Sequence, residues 1–311
     1  MSILDEVPLG RHRMEVGMKL REVMLLNGIL YNSEAWHGVT VNHVKTLEAI
    51  DEELLRKLLK AHRKTPREFL YLETGATPIQ WVIAQRRINF LKHILGKDKD
   101  ELVFKVFQAQ KDTPTSGDFI QLVEKDMINL NTSYEEIKNT NKILLKKHLK
   151  TNATSAAFRY LKGKLHKHKK IKHIQYSSLK MQPYLRNPNI HYEETHVITA
   201  LRSKCVRNVR SNFSKMYKNR IFCPLKCNQE SEQIDTQEHL LTCSKINIPN
   251  SSDNGIQGVY LDQHSQESVG KLVLKILKER KRLLEDQQGR EDLPGVNLDQ
   301  STLSMGAAAI L

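Results

Sequence analysis

Three cysteines and one histidine lie within twenty-one residues of the sequence, in the pattern C-x3-C-x11-H-x3-C. The four residues are Cys223, Cys227, His239 and Cys243. Thiolate sulfur and imidazole nitrogen are the ligands of tetrahedral structural zinc sites. Four protein ligands leave no open coordination position, so the pattern predicts structural Zn²⁺ as a cofactor. The alternative is a group of buried thiols beside a surface histidine.

The second half of this motif is predicted to lie on a short helix. Asp235 to Glu238 resembles a capping box, and His239 and Cys243 follow at a spacing of four residues, which places them on one helical face. The first cysteine pair is expected on a turn. The fourth cysteine, Cys205, is expected to be a buried apolar side chain.

The net charge of +14 is concentrated in one block of the chain. Lys138 to Lys218 contains 20 Lys and Arg against two acids, Glu193 and Glu194, so the rest of the chain has 29 against 33. A local excess of this size favours an anionic partner, and we expect RNA or single-stranded DNA. The residues expected to contact nucleic acid are Lys146, Lys147, Lys164, Lys167, Lys169, Lys170, Lys172, Arg202, Arg207, Arg210, Lys215 and Lys218.

Seven aromatic residues are interspersed with these cations, and exposed aromatic faces could stack unpaired bases. They are Phe158, Tyr160, Tyr176, Tyr184, Tyr192, Phe213 and Tyr217. Two other interpretations remain open, since a Lys-rich face is often only solvated and several aromatics must fill the core. The run Lys167 to Lys170 could also act as a nuclear localisation signal.

The sequence indicates an intracellular protein of the nucleus or cytoplasm that is not secreted and has no membrane partner. The first residues contain charged side chains and no apolar signal-peptide core, and no apolar run reaches the length of a membrane span. In a reducing compartment, clustered cysteines indicate a metal site before a disulfide.

The spacing of apolar residues predicts an all-α fold. Val44, Leu47, Ile50, Leu54 and Leu58 form one stripe, and Thr-Pro pairs at Thr65 and Thr77 are typical helix starts. The predicted regions are a helical region over 1–150, a basic helical linker over 151–220, a zinc knuckle over 221–246, a C-terminal helix over 256–286 and a disordered tail over 287–311.

No pattern of catalytic residues is visible in the sequence. Two-metal phosphoryl-transfer chemistry needs convergent aspartates. Asp51, Glu52 and Glu53 are instead predicted to lie on the solvated face of a helix, paired with Arg56 and Lys57. We therefore expect a chain that is not an enzyme on its own.

Several segments resemble the C-terminal part of reverse transcriptases of non-LTR (LINE-type) retrotransposons. These are Val7 to Gly10, Leu20 to Trp36, Thr65 to Gly75, Pro78-Ile79, Arg86 to Leu91, Gly117-Asp118, Leu201 to Ser203, Asn212-Phe213 and the four cysteine and histidine residues. They occur in the same order as in the family and span about residues 3 to 285.

The resemblance implies a thumb-like helical region that grips a primer and template, followed by a linker and a CCHC knuckle. The family's palm, with its catalytic aspartates, and its endonuclease precede this region, so no catalytic residue can be transferred to this chain. We expect a truncated, non-catalytic nucleic-acid-binding remnant. The alternatives are a subunit acting in trans with a separate reverse transcriptase palm, and a domesticated interaction module or unselected transposon product.

Overall fold

The computed structural model describes residues 12–36, 38–171, 174–206, 222–225, 227, 234–246 and 263–291. The α-helices are α1 (Arg13–Leu20), α2 (Leu26–Ile29), α3 (Val41–Leu59), α4 (Arg67–Thr74), α5 (Ile79–Leu95), α6 (Leu102–Asp112), α7 (Phe119–Asn129), α8 (Tyr134–Asn139), α9 (Lys142–Leu165), α10 (Tyr192–Arg202), α11 (His239–Thr242) and α12 (Gln263–Glu291). A π-helical turn (Arg21–Leu25) joins α1 to α2, and Pro183–Leu185 form a 3-10 turn.

The predicted all-α fold is confirmed. Within the described ranges there is no β-strand, and the β-type pairing seen there is an isolated antiparallel bridge between Phe222 and Ile234. Among these residues, none of the helices has an apolar stretch long enough to cross a bilayer.

Two helix boundaries follow the sequence closely. Thr40 caps α3 by accepting a hydrogen bond from the amide of His43, whose ring accepts one from the Thr40 amide. Gly75 ends α4 with φ +70°, a conformation that favours glycine. A Cβ at Gly75 would lie 2.3 Å from the amide nitrogen of Met181, so the missing side chain also lets a later segment pack against this turn.

The two Thr-Pro helix starts differ from the prediction. Pro66 and Pro78 are themselves the N-cap residues of α4 and α5, and neither start has a side-chain cap hydrogen bond. Thr65 is buried, and its hydroxyl has no hydrogen-bond partner among the described residues. The threonine therefore lies one residue too early to cap, because the extended backbone of proline already occupies the cap position.

Two apolar cores share helix α9. Its first half places Leu145 and Leu149 in a core with α5, α7 and α8, while Leu161 and Leu165 lie in the larger core with α4, α10 and α12. The predicted boundary at residue 150 therefore falls inside one continuous helix. In the sequence, the change of apolar partners halfway along α9 resembles a domain boundary. In the fold, this helix joins two cores.

The predicted C-terminal helix over 256–286 corresponds to α12, which runs from Gln263 to Glu291. The prediction of a disordered tail from 287 is wrong for its first five residues, which are helical, and residues 292–311 lie outside the described residues.

A buried carboxylate connects three distant parts of the chain. Glu73 on α4 has no exposed surface and accepts hydrogen bonds from the hydroxyls of Tyr176 (2.6 Å) and Tyr184 (2.8 Å). The guanidinium of Arg202 at the end of α10 lies 2.9 Å from the same carboxylate. The network fixes α4, the segment after α9 and α10 in one arrangement.

A second buried ion pair corrects the predicted solvated face of α3. Asp51 is buried and accepts two hydrogen bonds from Arg21 (2.6 and 2.7 Å) and one from the Tyr71 hydroxyl (3.0 Å). Its neighbour Glu52 faces Arg67 of α4. The partner of Asp51 is thirty residues away along the chain, which local helix spacing does not reveal.

Candidate metal centre and basic surface

The four cysteine and histidine residues of the sequence motif converge in the structure. Their ligand atoms all lie within 4.8 Å of one another, and no other group of three or more potential His, Cys, Asp or Glu ligands comes as close in the described part of the chain. The Sγ atoms of Cys223 and Cys243 are 3.9 Å apart, and Cys227 Sγ is 3.3 Å from His239 Nε2. The cluster could bind a metal ion.

These separations fit a tetrahedral site. Zinc to sulfur bonds of about 2.3 Å place two sulfur ligands of a tetrahedron about 3.8 Å apart. Cys223, His239 and Cys243 are buried, whereas Cys227 is partly exposed. The donor set therefore matches a metal held inside the protein with one edge near solvent.

The cysteine thiols influence each other's protonation. The hydrogen bond from Cys243 lowers the pKa of Cys223 to about 4, and the same contact raises the pKa of Cys243. A thiolate at Cys223 is the form that coordinates a metal.

Short local structures position the ligands. The bridge between Phe222 and Ile234 brings the two halves of the motif together, and Cys223 follows this bridge directly. The predicted helix exists as α11, but its cap differs: the Thr236 hydroxyl, rather than Asp235, accepts the hydrogen bond from the His239 amide at 3.0 Å. Cys243 follows the last residue of α11.

Asp235 has another role, which local sequence patterns did not reveal. It is fully buried, and both of its carboxylate oxygens accept hydrogen bonds at 2.8 Å from Nη2 of Arg280 on α12. Arg280 is only 1% exposed. It follows Val273 and Ile276 on the apolar stripe of α12 and precedes Leu283, and an arginine at such a position is a sequence signal for a buried partner.

The metal cluster packs on the C-terminal half of α12. Cys223, Leu225 and Cys243 form a small core, and Leu283 and Leu284 pack against it. Leu240 of α11 belongs instead to the larger core, so the motif joins the helical body at two places.

The structure places part of the predicted basic surface in solvent. Lys146 and Lys147 on α9 and Lys167, Lys169 and Lys170 after it are exposed. The Lys164 ammonium lies 5.6 Å from the centre of the Tyr160 ring. The remaining basic candidates Lys172, Arg207, Arg210, Lys215 and Lys218 lie outside the described residues.

The prediction that Arg202 contacts nucleic acid is wrong. Its side chain is 4% exposed, and its guanidinium is bound to Glu73 in the interior. Glu73 raises the pKa of Arg202 against the effect of burial, which keeps the side chain charged. The spacing of basic residues in the sequence does not distinguish this internal arginine from cations at the surface.

The aromatic residues of the basic block offer little free surface for base stacking. Tyr176 and Tyr184 are buried and donate to Glu73. Cations lie over the other three described aromatic residues of the basic block. Lys162 lies over Phe158, Lys164 over Tyr160, and Arg13 and Lys60 over Tyr192, at 4.6 to 5.6 Å from the ring centres. Phe213 and Tyr217 lie outside the described residues.

Three exposed lysines of α9 have no acidic partner among the described residues. The sequence has no Asp or Glu from Ile137 to Tyr192. Lys146, Lys147 and Lys150 form no ion pair with a described carboxylate. Their positive charge is therefore directed to solvent.

Comparison of the chain with protein-family models, with curated proteins and with solved structures gives no match.

Proposed function

We propose that the chain binds nucleic acid through the phosphate backbone and contains a structural zinc ion at Cys223, Cys227, His239 and Cys243. The observation that carries the first part is the row of exposed lysines on α9 and Lys167 to Lys170 in a stretch without acids. Lysine ammonium groups attract phosphates without reading base identity. Because the described aromatic rings of the basic block are buried or lie beneath cations, phosphate contacts rather than base stacking provide the affinity there.

The zinc part of the proposal is supported by the donor set and its geometry. Three sulfur atoms and one imidazole nitrogen lie close enough to share one ion. Zinc would be held without an open position and would stabilise the fold of the motif.

The test for zinc is the metal content of the purified full chain. We expect one zinc per chain in the wild type and loss of this zinc in His239→Ala, because three ligands bind the ion more weakly than four. The matched control is His166→Ala, an exposed histidine of the basic surface, which should keep the full metal content. A wild-type chain that is folded and free of metal would contradict this part.

We also propose that the chain is a non-catalytic remnant related to the thumb, linker and knuckle of non-LTR retrotransposon reverse transcriptases. The order of the sequence segments supports this origin. The all-α fold and the Cys3His cluster agree with it. Primer extension by the isolated full chain would contradict the non-catalytic assignment.

The test for nucleic-acid binding compares two triple charge reversals in the full chain. Changing Lys146, Lys147 and Lys150 to Glu on α9 should weaken binding of single-stranded RNA. It should also reduce the slope of log K against log salt by about 0.7 for each phosphate that the variant no longer neutralises. The control changes Lys271, Lys275 and Lys278 on α12 to Glu, which alters the net charge equally.

We expect the control to retain most of the affinity and slope, because Lys271 and Lys278 already face carboxylates. Equal losses in both variants would mean that only the net charge matters. Binding that is insensitive to salt and to both reversals would contradict the proposed function.

A further inference from the structure

The metal cluster and helix α12 share a buried ion pair. Asp235 lies directly after the bridge residue Ile234, four residues before the ligand His239. Its partner Arg280 lies one helical turn before Leu283 and Leu284, which pack against Cys223 and Cys243. Arg280 therefore enters the same interface that covers the cysteine ligands.

Arg280 has unused hydrogen-bonding capacity in this interface. Nη2 donates to Asp235, whereas Nε and Nη1 are buried and have no acceptor among the described residues. Two buried donor nitrogens without acceptors are costly unless charge nearby compensates them.

A filled metal site would supply such charge. Three thiolates and a divalent ion leave one net negative charge on the cluster, since the imidazole ligand is neutral. Asp235 alone already balances Arg280, but its contacts use only one of the three guanidinium nitrogens. Arg280 also lies close enough to the cluster to interact electrostatically with Cys223.

We infer that Arg280 is a positioning residue of the metal centre, which compensates the cluster's charge and couples metal binding to docking of the C-terminal half of α12. This inference rests on the proposed metal site. Coupling between two binding events is reciprocal, so metal should strengthen the docking of α12, and loss of Arg280 should weaken metal binding.

The two halves of helix α12 pack against different parts of the protein. Its N-terminal half packs on the larger core through Val269 and Val273, and Gly270 allows close approach to Ile198 of α10. Its C-terminal half depends on Arg280 and on Leu283 and Leu284 at the metal cluster. Metal loss should therefore loosen only the second half of the helix.

The first experiment measures metal affinity of the full chain by competition with a chromogenic chelator, with Co²⁺ absorption as the signature of the thiolate site. Arg280→Met should weaken metal binding about 10- to 100-fold, as expected for a residue outside the ligand set. Arg280→Lys should restore part of the affinity. Arg282→Met is the matched control, because Arg282 is exposed on the same helix and should leave affinity unchanged.

A second variant separates loss of charge compensation from unfolding. Asp235→Asn combined with Arg280→Met removes both members of the ion pair, so neither is left buried without its partner and the fold is retained while the cation is absent. We expect its metal affinity to remain weakened. Wild-type affinity in this folded double variant would overturn the inference.

The reciprocal experiment needs no substitution. Hydrogen exchange of the wild-type chain, with Zn²⁺ and with excess chelator, should show lower amide protection over 277–286 after metal removal. Protection over 269–276 should change much less. Bound metal with unchanged protection in both segments would overturn the coupling while leaving the metal site intact, whereas absence of metal binding by the wild type would overturn both.

Discussion

Helices α9 and α12 contain the same number of Lys and Arg residues but differ in their content of acidic residues. Each contains seven Lys and Arg, but α9 has no Asp or Glu and α12 has five. On α12, Lys271 pairs with Glu267, and Arg282 pairs with Glu279 and Asp286. The Lys and Arg residues of α9 form no ion pair with any described acid, whereas His148 of the same helix lies 2.6 Å from Glu136.

This difference indicates which basic helix can hold an anion. Oppositely charged residues three or four positions apart neutralise each other on a helix surface, so the field of α12 is largely cancelled close to the helix. The field of α9 extends into solvent. The number of Lys and Arg alone would have ranked the two helices as equal.

The largest expected effect concerns the buried cation of α12. Asp235→Asn leaves Arg280 buried without its partner, and we expect the free energy of unfolding to fall by about 3–5 kcal/mol in urea titration. Lys147→Met on α9 removes an unpaired surface cation and should leave the free energy of unfolding unchanged. Similar stability of the two variants would show that Arg280 does not depend on Asp235.

The next prediction tests whether acids alone separate the two helices. Replacing Glu267, Glu279 and Glu285 by Gln and Asp286 by Asn on α12 frees Lys271, Lys281 and Arg282 and should create a second RNA-binding surface. The slope of log K against log salt should steepen by up to about 0.7 for each freed cation that contacts a phosphate. An unchanged slope would mean that the location of α9, not its lack of acids, defines the binding surface.

The converse change introduces a carboxylate on α9. Ile143 is 78% exposed, and Ile143→Glu places an acid four residues before Lys147, the favourable orientation for a helical ion pair. We expect the salt slope of RNA binding to decrease by about 0.7, equivalent to one phosphate contact. Ile143→Gln is the neutral control, and an equal decrease in this control would assign the effect to the removal of isoleucine.

The smallest expected effect is that of the exposed pair between Lys278 of α12 and Glu193 of α10. The hydrogen bond from Lys278 lowers the pKa of Glu193. The pair's contribution is therefore present above the ordinary carboxylate value of 4.5 and is lost as the pH falls through the lowered value in the folded chain. Glu193→Gln should cost at most about 1 kcal/mol at pH 7 and nothing well below pH 4, as measured by urea titration at both pH values. A larger loss of stability would mean that this exposed pair contributes as much as the buried ion pairs.

Local sequence patterns predicted the elements that depend on neighbouring residues. The short helix α11 and the convergence of Cys223 with His239 both follow from spacings of a few residues. The candidate metal motif can be found in the sequence because its four residues have a distinctive chemistry and all lie in one short segment.

The buried ion pairs could not be predicted in this way. Arg202 pairs with Glu73, Arg21 with Asp51, and Arg280 with Asp235, each across thirty residues or more. In a basic or amphipathic stretch, a charged residue is by default predicted to lie on the solvated face. Only the tertiary fold decides which of these cations become internal.

The Glu73 network has a consequence for how the chain acquires its fold. The hydroxyls of Tyr176 and Tyr184 lie 103 and 111 residues after Glu73 along the chain, and Arg202 lies 129 residues after it. During synthesis, α4 cannot bury this carboxylate until the segment up to Arg202 has left the ribosome, because an uncompensated carboxylate in an apolar core is strongly unfavourable. Contacts so distant in sequence form late and slowly. The apolar side of α4 therefore stays open to chaperones while more than a third of the chain is still being made.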